Sequence, residues 1–151
     1  IHERLVGSEM CIRDRYINEH YSTRMGRENT AIAGYSLGGR ESLFLCFAHP
    51  DVFGYVGAFA PVGGVVDTGN GERVYGNRGF LLPEFVKDGE KQPLVTLIVT
   101  GDSDPYCKES AINYSDYMTS HGINHIFYIR PGAHEVSVWN NGLYNFIRRI
   151  F

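Results

Sequence analysis

Residues 30–48 read TAIAGYSLGGRESLFLCFA, and they contain a change from strand to helix. The run at residues 30–35 is short and mostly apolar, as expected for a strand buried on both faces of a parallel sheet. From residue 39 to about residue 48 the apolar side chains recur at helical spacing. The pentapeptide GYSLG spans the junction of the two segments, so the sequence predicts a tight strand-to-helix turn with Ser36 at its tip.

The rest of the chain repeats this alternation of strand and helix patterns. The segment LVTLIVT is β-branched, uninterrupted and uncharged, which indicates a buried strand. Residues 65–91 are instead rich in Gly, Asn and charge, and they predict an excursion with one short helix near residues 83–86. Alternating strands and helices are typical of an α/β fold, a parallel sheet with helices on both faces. The further predicted strands are residues 55–62, 94–100 and 125–130, and the further predicted helices are residues 108–120 and 138–151.

Composition narrows the class of protein. The chain has 151 residues, which is one domain's worth, and 43% of them are hydrophobic, which argues against disorder. With 14 Lys and Arg against 17 Asp and Glu the net charge is −3, which argues against a non-specific nucleic-acid binder. The longest apolar runs are too short to span a bilayer. Three cysteines make neither a paired disulfide framework nor a CxxC metal motif, and no cofactor is predicted.

The GYSLG turn matches the nucleophile elbow, in which a serine hydroxyl projects above the carboxyl edge of the sheet. Gly34 and Gly38 have no side chains, so neighbouring segments are expected to approach the turn closely. The helix that follows directs free N–H groups at developing negative charge, and the N–H of Leu37 is one candidate oxyanion donor. The alternative is an ordinary strand–turn–helix connection, because G-x-S-x-G also occurs by chance in glycine-rich chains.

A nucleophilic serine needs a base, and the base needs an orienting acid. The strand at residues 94–100 ends in GDSDP, which offers Asp102 and Asp104, and the strand at residues 125–130 is followed by His134. Because functional groups gather at the carboxyl ends of parallel strands, these side chains are expected to converge with Ser36. Individually, such an Asp is usually a turn former and such a His is usually solvated. Four further histidines and one cysteine are interpreted as structural residues: His20, His49, His121, His125 and Cys46. Cys107 is interpreted as a small hydrophobic residue or a weak redox candidate.

Two stretches resemble the esterase family of the α/β-hydrolases, and most of all the feruloyl and acetyl-xylan esterases of carbohydrate esterase family 1. The first is AIAGYSLGGRESLFLCFAHPDVFGYVGAFAPVGG, and the second is PGAHEVSVWNNGLYNFIRRIF at the end of the chain. The resemblance implies Ser36 as nucleophile and His134 as general base. It favours Asp104 over Asp102 as the acid. Ala133 and Glu135 depart from the Gly and Asp that the family usually has beside the His, and neither change removes a catalytic atom.

The resemblance also implies a function, a serine carboxylic-ester hydrolase that cleaves feruloyl or acetyl esters of plant polysaccharide such as xylan. The expected partner is a small-molecule or polysaccharide ester, with no nucleic acid and no membrane, and a secreted location is expected. Another esterase-family activity is one alternative: S-formylglutathione hydrolase, siderophore esterase or acyltransferase. A non-catalytic carbohydrate-binding or interaction domain is the other alternative. Candidates for substrate contacts are Tyr35, Tyr75, Phe80 and Trp139, although Trp139 is as well explained by core packing.

The start of the chain has a separate origin in this interpretation. Residues 5–15 read LVGSEMCIRDR, which resembles a translated sequencing adapter of the transposase type, with a genuine amphipathic N-terminus as the alternative. Residues 1–15 are therefore set aside as adapter-derived or unassigned, and residues 16–151 are expected to form the C-terminal part of an esterase domain. By analogy these are strands five to eight of an eight-stranded sheet. Such a piece is expected to be weak or inactive and to expose residues 30–35 as an edge prone to self-association.

Overall fold

The computed structural model describes residues 16–63 and 92–151. A helical turn at residues 16–20 and a 3-10 turn at Arg27–Asn29 precede the first strand. The remaining elements alternate between strand and helix: β1 (Ala31–Tyr35), α1 (Leu37–Ala48), β2 (Tyr55–Phe59), β3 (Val95–Gly101), α2 (Lys108–Ser120), β4 (Ile126–Arg130) and α3 (Val136–Ile147). None of the helices in the described ranges is long and apolar enough to cross a membrane.

The four strands form one parallel sheet in the order β1-β2-β3-β4. Tyr35 at the end of β1 pairs with Phe59 at the end of β2, which in turn pairs with Val99 of β3. All four strands therefore end at one edge, and the loops that follow β1, β3 and β4 meet there. Within residues 16–63 and 92–151, β1 pairs with a strand on one side only, so the predicted edge strand is an edge of the described sheet.

The two faces of the sheet carry separate apolar clusters, because successive side chains of a strand point to opposite faces. On β3, Ile98 belongs to one cluster, while Leu97 and Val99 belong to the other. Helices α1 and α2 cover the first cluster, and α3 covers the second. The prediction of a parallel sheet with helices on both faces is thus confirmed. The helical residues buried in the clusters are Leu43, Cys46 and Phe47 of α1, Ala111, Tyr114 and Met118 of α2, and Val138 and Phe146 of α3.

The structure shifts the bounds of three predicted elements by two residues or more. Helix α1 begins at Leu37 rather than at residue 39, because the turn at Ser36 leads directly into helical backbone. Strand β2 ends at Phe59 rather than at residue 62, since Ala60 has a φ of 46° that breaks the extended backbone. Helix α3 is Val136–Ile147 rather than residues 138–151. The excursion predicted at residues 65–91, with its proposed short helix, lies entirely outside the described residues.

The packing of α3 against the sheet makes Gly142 a site where alanine should destabilise the protein. A Cβ at this position would lie 2.6 Å from both Phe59 Cδ1 and Val99 Cγ1. Although Gly to Ala inside a helix normally stabilises by up to about 1 kcal/mol, this overpacking should cost about 1–3 kcal/mol. Urea unfolding of Gly142→Ala measures the difference in the free energy of unfolding.

The matched control is Gly38→Ala in the first turn of α1. Apart from its chain neighbours and the backbone of its own helix, no described atom lies within 4 Å of a Cβ built on Gly38, so alanine should leave stability unchanged or raise it slightly. A Gly142→Ala protein as stable as the parent would show that α3 does not press on the sheet in this way.

Candidate active site

Ser36 lies in a strained backbone conformation between β1 and α1. Its backbone has a φ of 53° and a ψ of −121°, and residues other than Gly rarely adopt a positive φ. Two hydrogen bonds hold the residue there: its N–H donates to the Phe59 carbonyl at 2.8 Å, and its carbonyl accepts the N–H of Val62 at 3.2 Å. The end of β2 and the segment just after it therefore fix the backbone of the predicted nucleophile on both sides.

The turn is tight because glycines let two backbones meet. A Cβ on Gly34 would collide with the backbone of Gly38, so the end of β1 and the start of α1 approach as the sequence predicts. Gly38 itself does not show the expected close approach among the described residues. The second crowded position is Gly39, where a Cβ would lie 3.1 Å from the Gly34 carbonyl oxygen and 3.3 Å from the Phe59 nitrogen.

Asp104 and His134 are joined by a hydrogen bond across two neighbouring strand ends. His134 Nδ1 lies 2.8 Å from Asp104 Oδ2, and the Asp104 side chain is fully buried. The other carboxylate oxygen accepts the N–H groups of Tyr106 and Cys107, each at 2.9 Å, just before α2 begins. An ionised carboxylate can only accept, so a neutral His134 donates from Nδ1 and keeps its Nε2 lone pair available for a proton.

Asp102, the alternative acid, points elsewhere. It is exposed, and its Oδ1 accepts the N–H of Gly132 at 3.1 Å. This hydrogen bond from Gly132 lowers the pKa of the Asp102 carboxyl, and Ser103 and the charge of Lys108 lower it further. Asp102 therefore connects the loop after β3 to the loop that carries His134, whereas Asp104 contacts the imidazole itself.

Aromatic rings surround the imidazole of His134. The Trp139 ring meets it edge to face at 5.3 Å between centroids, and the Tyr106 ring does so at 5.9 Å. Trp139 also stacks on Tyr35, with ring centroids 4.2 Å apart and an angle of 18° between the planes. Tyr35 directly precedes Ser36, so this stack connects the serine turn to the histidine. Tyr106 is 78% exposed and leaves one side of its ring to solvent.

The thiol of Cys107 lies among the same side chains. Burial raises the pKa of Cys107 to about 12, and the negative charge of Asp104 acts in the same direction. An interaction with the Ser36 side chain opposes these two effects and lowers the pKa of Cys107. Within residues 16–63 and 92–151 the Ser36 hydroxyl makes no hydrogen bond to His134, a contact that often forms only when substrate is bound.

The structure thus brings some of the predicted residues to one edge of the sheet. His134 and Asp104 are in contact, and the Ser36 side chain interacts with Cys107, whose N–H donates to Asp104. Leu37 is the first residue of α1, so its N–H has no partner within the helix and stays a candidate oxyanion donor. Of the predicted substrate contacts, Trp139 lies beside His134, and Tyr35 stacks on Trp139. The other two, Tyr75 and Phe80, lie outside the described residues.

Sequence reasoning did not assign Tyr106 to the site, and it interpreted Cys107 as a small hydrophobe or weak redox candidate. Both follow the candidate acid by two and three positions, and both donate backbone N–H groups to its carboxylate. This spacing is a usable signal, because a buried carboxylate just before a helix accepts hydrogen bonds from the first free N–H groups. The arrangement as a whole has a constrained serine, an imidazole with a free nitrogen and a buried carboxylate. These are the components of nucleophilic catalysis.

Comparison with known proteins is consistent with this chemistry. A family model described as "Putative esterase" matches residues 14–150. The ferulic acid esterase of the anaerobic fungus Anaeromyces mucronatus, solved without substrate, matches with a TM-score of 0.82 and 34% identity over 96% of this chain and 52% of the fungal chain. In complex with ferulic acid it matches with a TM-score of 0.81 and 38% identity over 93% of this chain and 51% of the fungal chain.

A more distant match shares the fold alone. The S-formylglutathione hydrolase of Staphylococcus aureus has a TM-score of 0.70 and 21% identity over 89% of this chain and 55% of that enzyme. This chain therefore spans about half the length of the enzymes that it matches.

Proposed function

Because this chain belongs to the esterase family and has part of the α/β-hydrolase fold, we propose that it carries the catalytic residues of a serine carboxylic-ester hydrolase. The observation that carries the proposal is the hydrogen bond from His134 to the buried Asp104, at the sheet edge where Ser36 adopts its strained turn. A carbohydrate-binding domain would have no need of a strained serine beside a paired imidazole and carboxylate.

The first half of the reaction forms an acyl-enzyme. Ser36 Oγ attacks the ester carbonyl carbon while its proton passes to His134 Nε2. Asp104 stabilises the resulting imidazolium through Nδ1–H, and because its carboxylate is already held by two N–H groups it needs no rearrangement. The carbonyl oxygen gains negative charge, which the N–H of Leu37 and the positive end of α1 stabilise. When the tetrahedral intermediate collapses, the alcohol leaves with the proton from His134.

The second half of the reaction regenerates the free Ser36 hydroxyl. Water gives a proton to His134 Nε2 and attacks the acyl carbon, and His134 then protonates Ser36 Oγ as the acid departs. One proton moves to and from His134 in each half of the reaction, so the reaction balances with the ester and water as its only reactants. The side chains supply positioning and charge stabilisation, and Trp139 and Tyr106 pack against the imidazole.

The proposed substrates are feruloyl esters of plant polysaccharide. The support for this substrate is the identity of 38% with an enzyme solved in complex with ferulic acid. Tyr106 is an exposed aromatic ring beside the candidate base, and Tyr35 is an exposed ring stacked on Trp139; such rings can stack on a phenolic acyl group. Acetyl esters are the alternative substrates, and they would gain nothing from this stacking because an acetyl group has no ring.

A two-part experiment tests the proposed function. The chain is first incubated with a fluorophosphonate probe, and the labelled peptide is identified by mass spectrometry; we expect labelling at Ser36 and its loss in His134→Ala. Hydrolysis of methyl ferulate and of acetylated xylan is then compared, and methyl ferulate should be the better substrate by at least about tenfold, the lower range for a difference in pocket fit. Labelling at another residue contradicts the assignment of the nucleophile. Preference for acetylated xylan contradicts the feruloyl substrate alone.

A further inference from the structure

Three types of metal-binding side chain meet beside the serine turn. A carboxylate oxygen of Asp104, the sulfur of Cys107 and a ring nitrogen of His134 all lie within 4.8 Å of one another. Asp104 and Cys107 are buried, and the His134 side chain is 19% exposed, so solvent reaches the group from the histidine side. Carboxylate, thiolate and imidazole are the donors that Zn²⁺ uses in proteins.

The distances suit a small cation after modest movement. Zn²⁺ binds sulfur at about 2.3 Å and nitrogen or oxygen at about 2.0–2.2 Å, so tetrahedral ligand atoms lie roughly 3.3–3.6 Å apart. Asp104 Oδ2 and His134 Nδ1 are now 2.8 Å apart and would separate slightly, whereas the widest pair within the 4.8 Å limit would close by about 1 Å.

The charges also suit a divalent cation. The Asp104 carboxylate and a Cys107 thiolate supply two negative charges, and neutral His134 supplies none. The complex would therefore be neutral, which a buried site favours. With no metal, burial and the Asp104 charge raise the pKa of Cys107 to about 12 and keep the thiol protonated. A bound metal ion replaces that proton, which is released to solvent.

We propose that Asp104, Cys107 and His134 form a binding site for a thiophilic divalent cation of the Zn²⁺ type, and that a cation bound there blocks the serine chemistry. The block follows because the metal takes a lone pair of His134 and the carboxylate that orients its ring. Binding itself is independent of the proposed function, whereas inhibition rests on it. A hard cation such as Mg²⁺ is not expected to bind, because thiolate is a poor ligand for it.

Cobalt provides a direct readout of the ligand set. Untagged protein carrying Cys11→Ser, which removes the thiol outside the described residues, is titrated with Co²⁺ and then with Zn²⁺. We expect a near-ultraviolet thiolate-to-cobalt absorption band that Zn²⁺ abolishes. Cys107→Ser and Cys107→Ala in the same background should remove the band and raise the Kd for Zn²⁺ by at least about tenfold, the smaller effect typical of changes around metal sites.

The chain offers a matched control in Cys46, the other buried cysteine. Burial also raises the pKa of Cys46 to about 12, but its thiol faces the Phe53 carbonyl and lies outside the three-residue cluster. Cys46→Ala should therefore keep the cobalt band. Unchanged metal affinity in both Cys107 variants, or a band that depends on Cys46, would overturn the site.

Fluorophosphonate labelling of Ser36 tests inhibition separately. Saturating Zn²⁺ should slow the labelling of Ser36 in the parent at least tenfold and should not slow it in Cys107→Ala. The same concentration of Mg²⁺ should not change the labelling rate of either protein. Normal labelling of a Zn²⁺-loaded parent would overturn the block, and so would equal slowing by Mg²⁺. If Ser36 is never labelled, even without metal, the proposed function fails while the cobalt titration still decides the site.

Discussion

Replacing Ser36 with alanine is expected to lower kcat for methyl ferulate by about 10⁴-fold or more, as removal of a serine nucleophile does elsewhere. Without Oγ the acyl-enzyme cannot form, and His134 and Asp104 have no nucleophile to serve. The structure around the turn should persist, because the hydrogen bonds that hold it come from backbone groups of residue 36, which alanine retains. Steady-state kinetics and the stoichiometry of fluorophosphonate labelling measure the loss.

Glycine at the same position separates strain from chemistry. Ser36 holds a φ of 53°, which glycine adopts without a steric penalty. Relief of strain worth about 1–3 kcal/mol, partly offset by the greater freedom of glycine in the unfolded chain, should make Ser36→Gly more stable than Ser36→Ala. Both variants should be equally inactive. Urea unfolding of the pair gives the difference, and an alanine variant as stable as the glycine variant would argue against stored strain at the turn.

Asp104→Asn is expected to lower kcat by about 10⁴-fold, comparable to the effect of the same change in a Ser-His-Asp triad. An asparagine amide group facing His134 Nδ1 favours the tautomer with the proton on Nε2, which then cannot accept the proton of Ser36. The N–H groups of Tyr106 and Cys107 can still donate to the amide oxygen, so the loop before α2 should keep its shape.

Asp102→Asn is the matched control, two positions away in the same loop. Its Oδ1 accepts the Gly132 N–H, and an asparagine oxygen can accept the same hydrogen bond. We expect kcat within a few-fold of the parent, typical of a surface substitution that keeps its hydrogen bond. Kinetics of both variants with methyl ferulate decide between the carboxylates. A large loss in Asp102→Asn with little change in Asp104→Asn would reverse their assignment.

The fold could be predicted from local patterns to a large extent. The alternation of buried side chains on β3, with Leu97 and Val99 on one face and Ile98 on the other, follows from a period of two that the residues themselves carry. The ends of elements were less predictable. Strand β2 ends at a positive φ at Ala60, where a hydrogen bond from its N–H to the Val99 carbonyl forms between residues distant in sequence.

For the candidate site, the sequence by itself determined which residue types follow which strands. A glycine-flanked serine after β1, two aspartates at the end of β3 and a histidine after β4 must meet at one edge once the strands run parallel. Only the tertiary structure shows which of the two aspartates contacts His134, because both lie in one loop with similar local sequence. Asp104 is buried against His134, whereas Asp102 faces the surface, and packing between segments 30 residues apart selects these orientations. The same packing places Cys107 and the Tyr35–Trp139 stack around the histidine, since no local periodicity encodes contacts across the sheet edge.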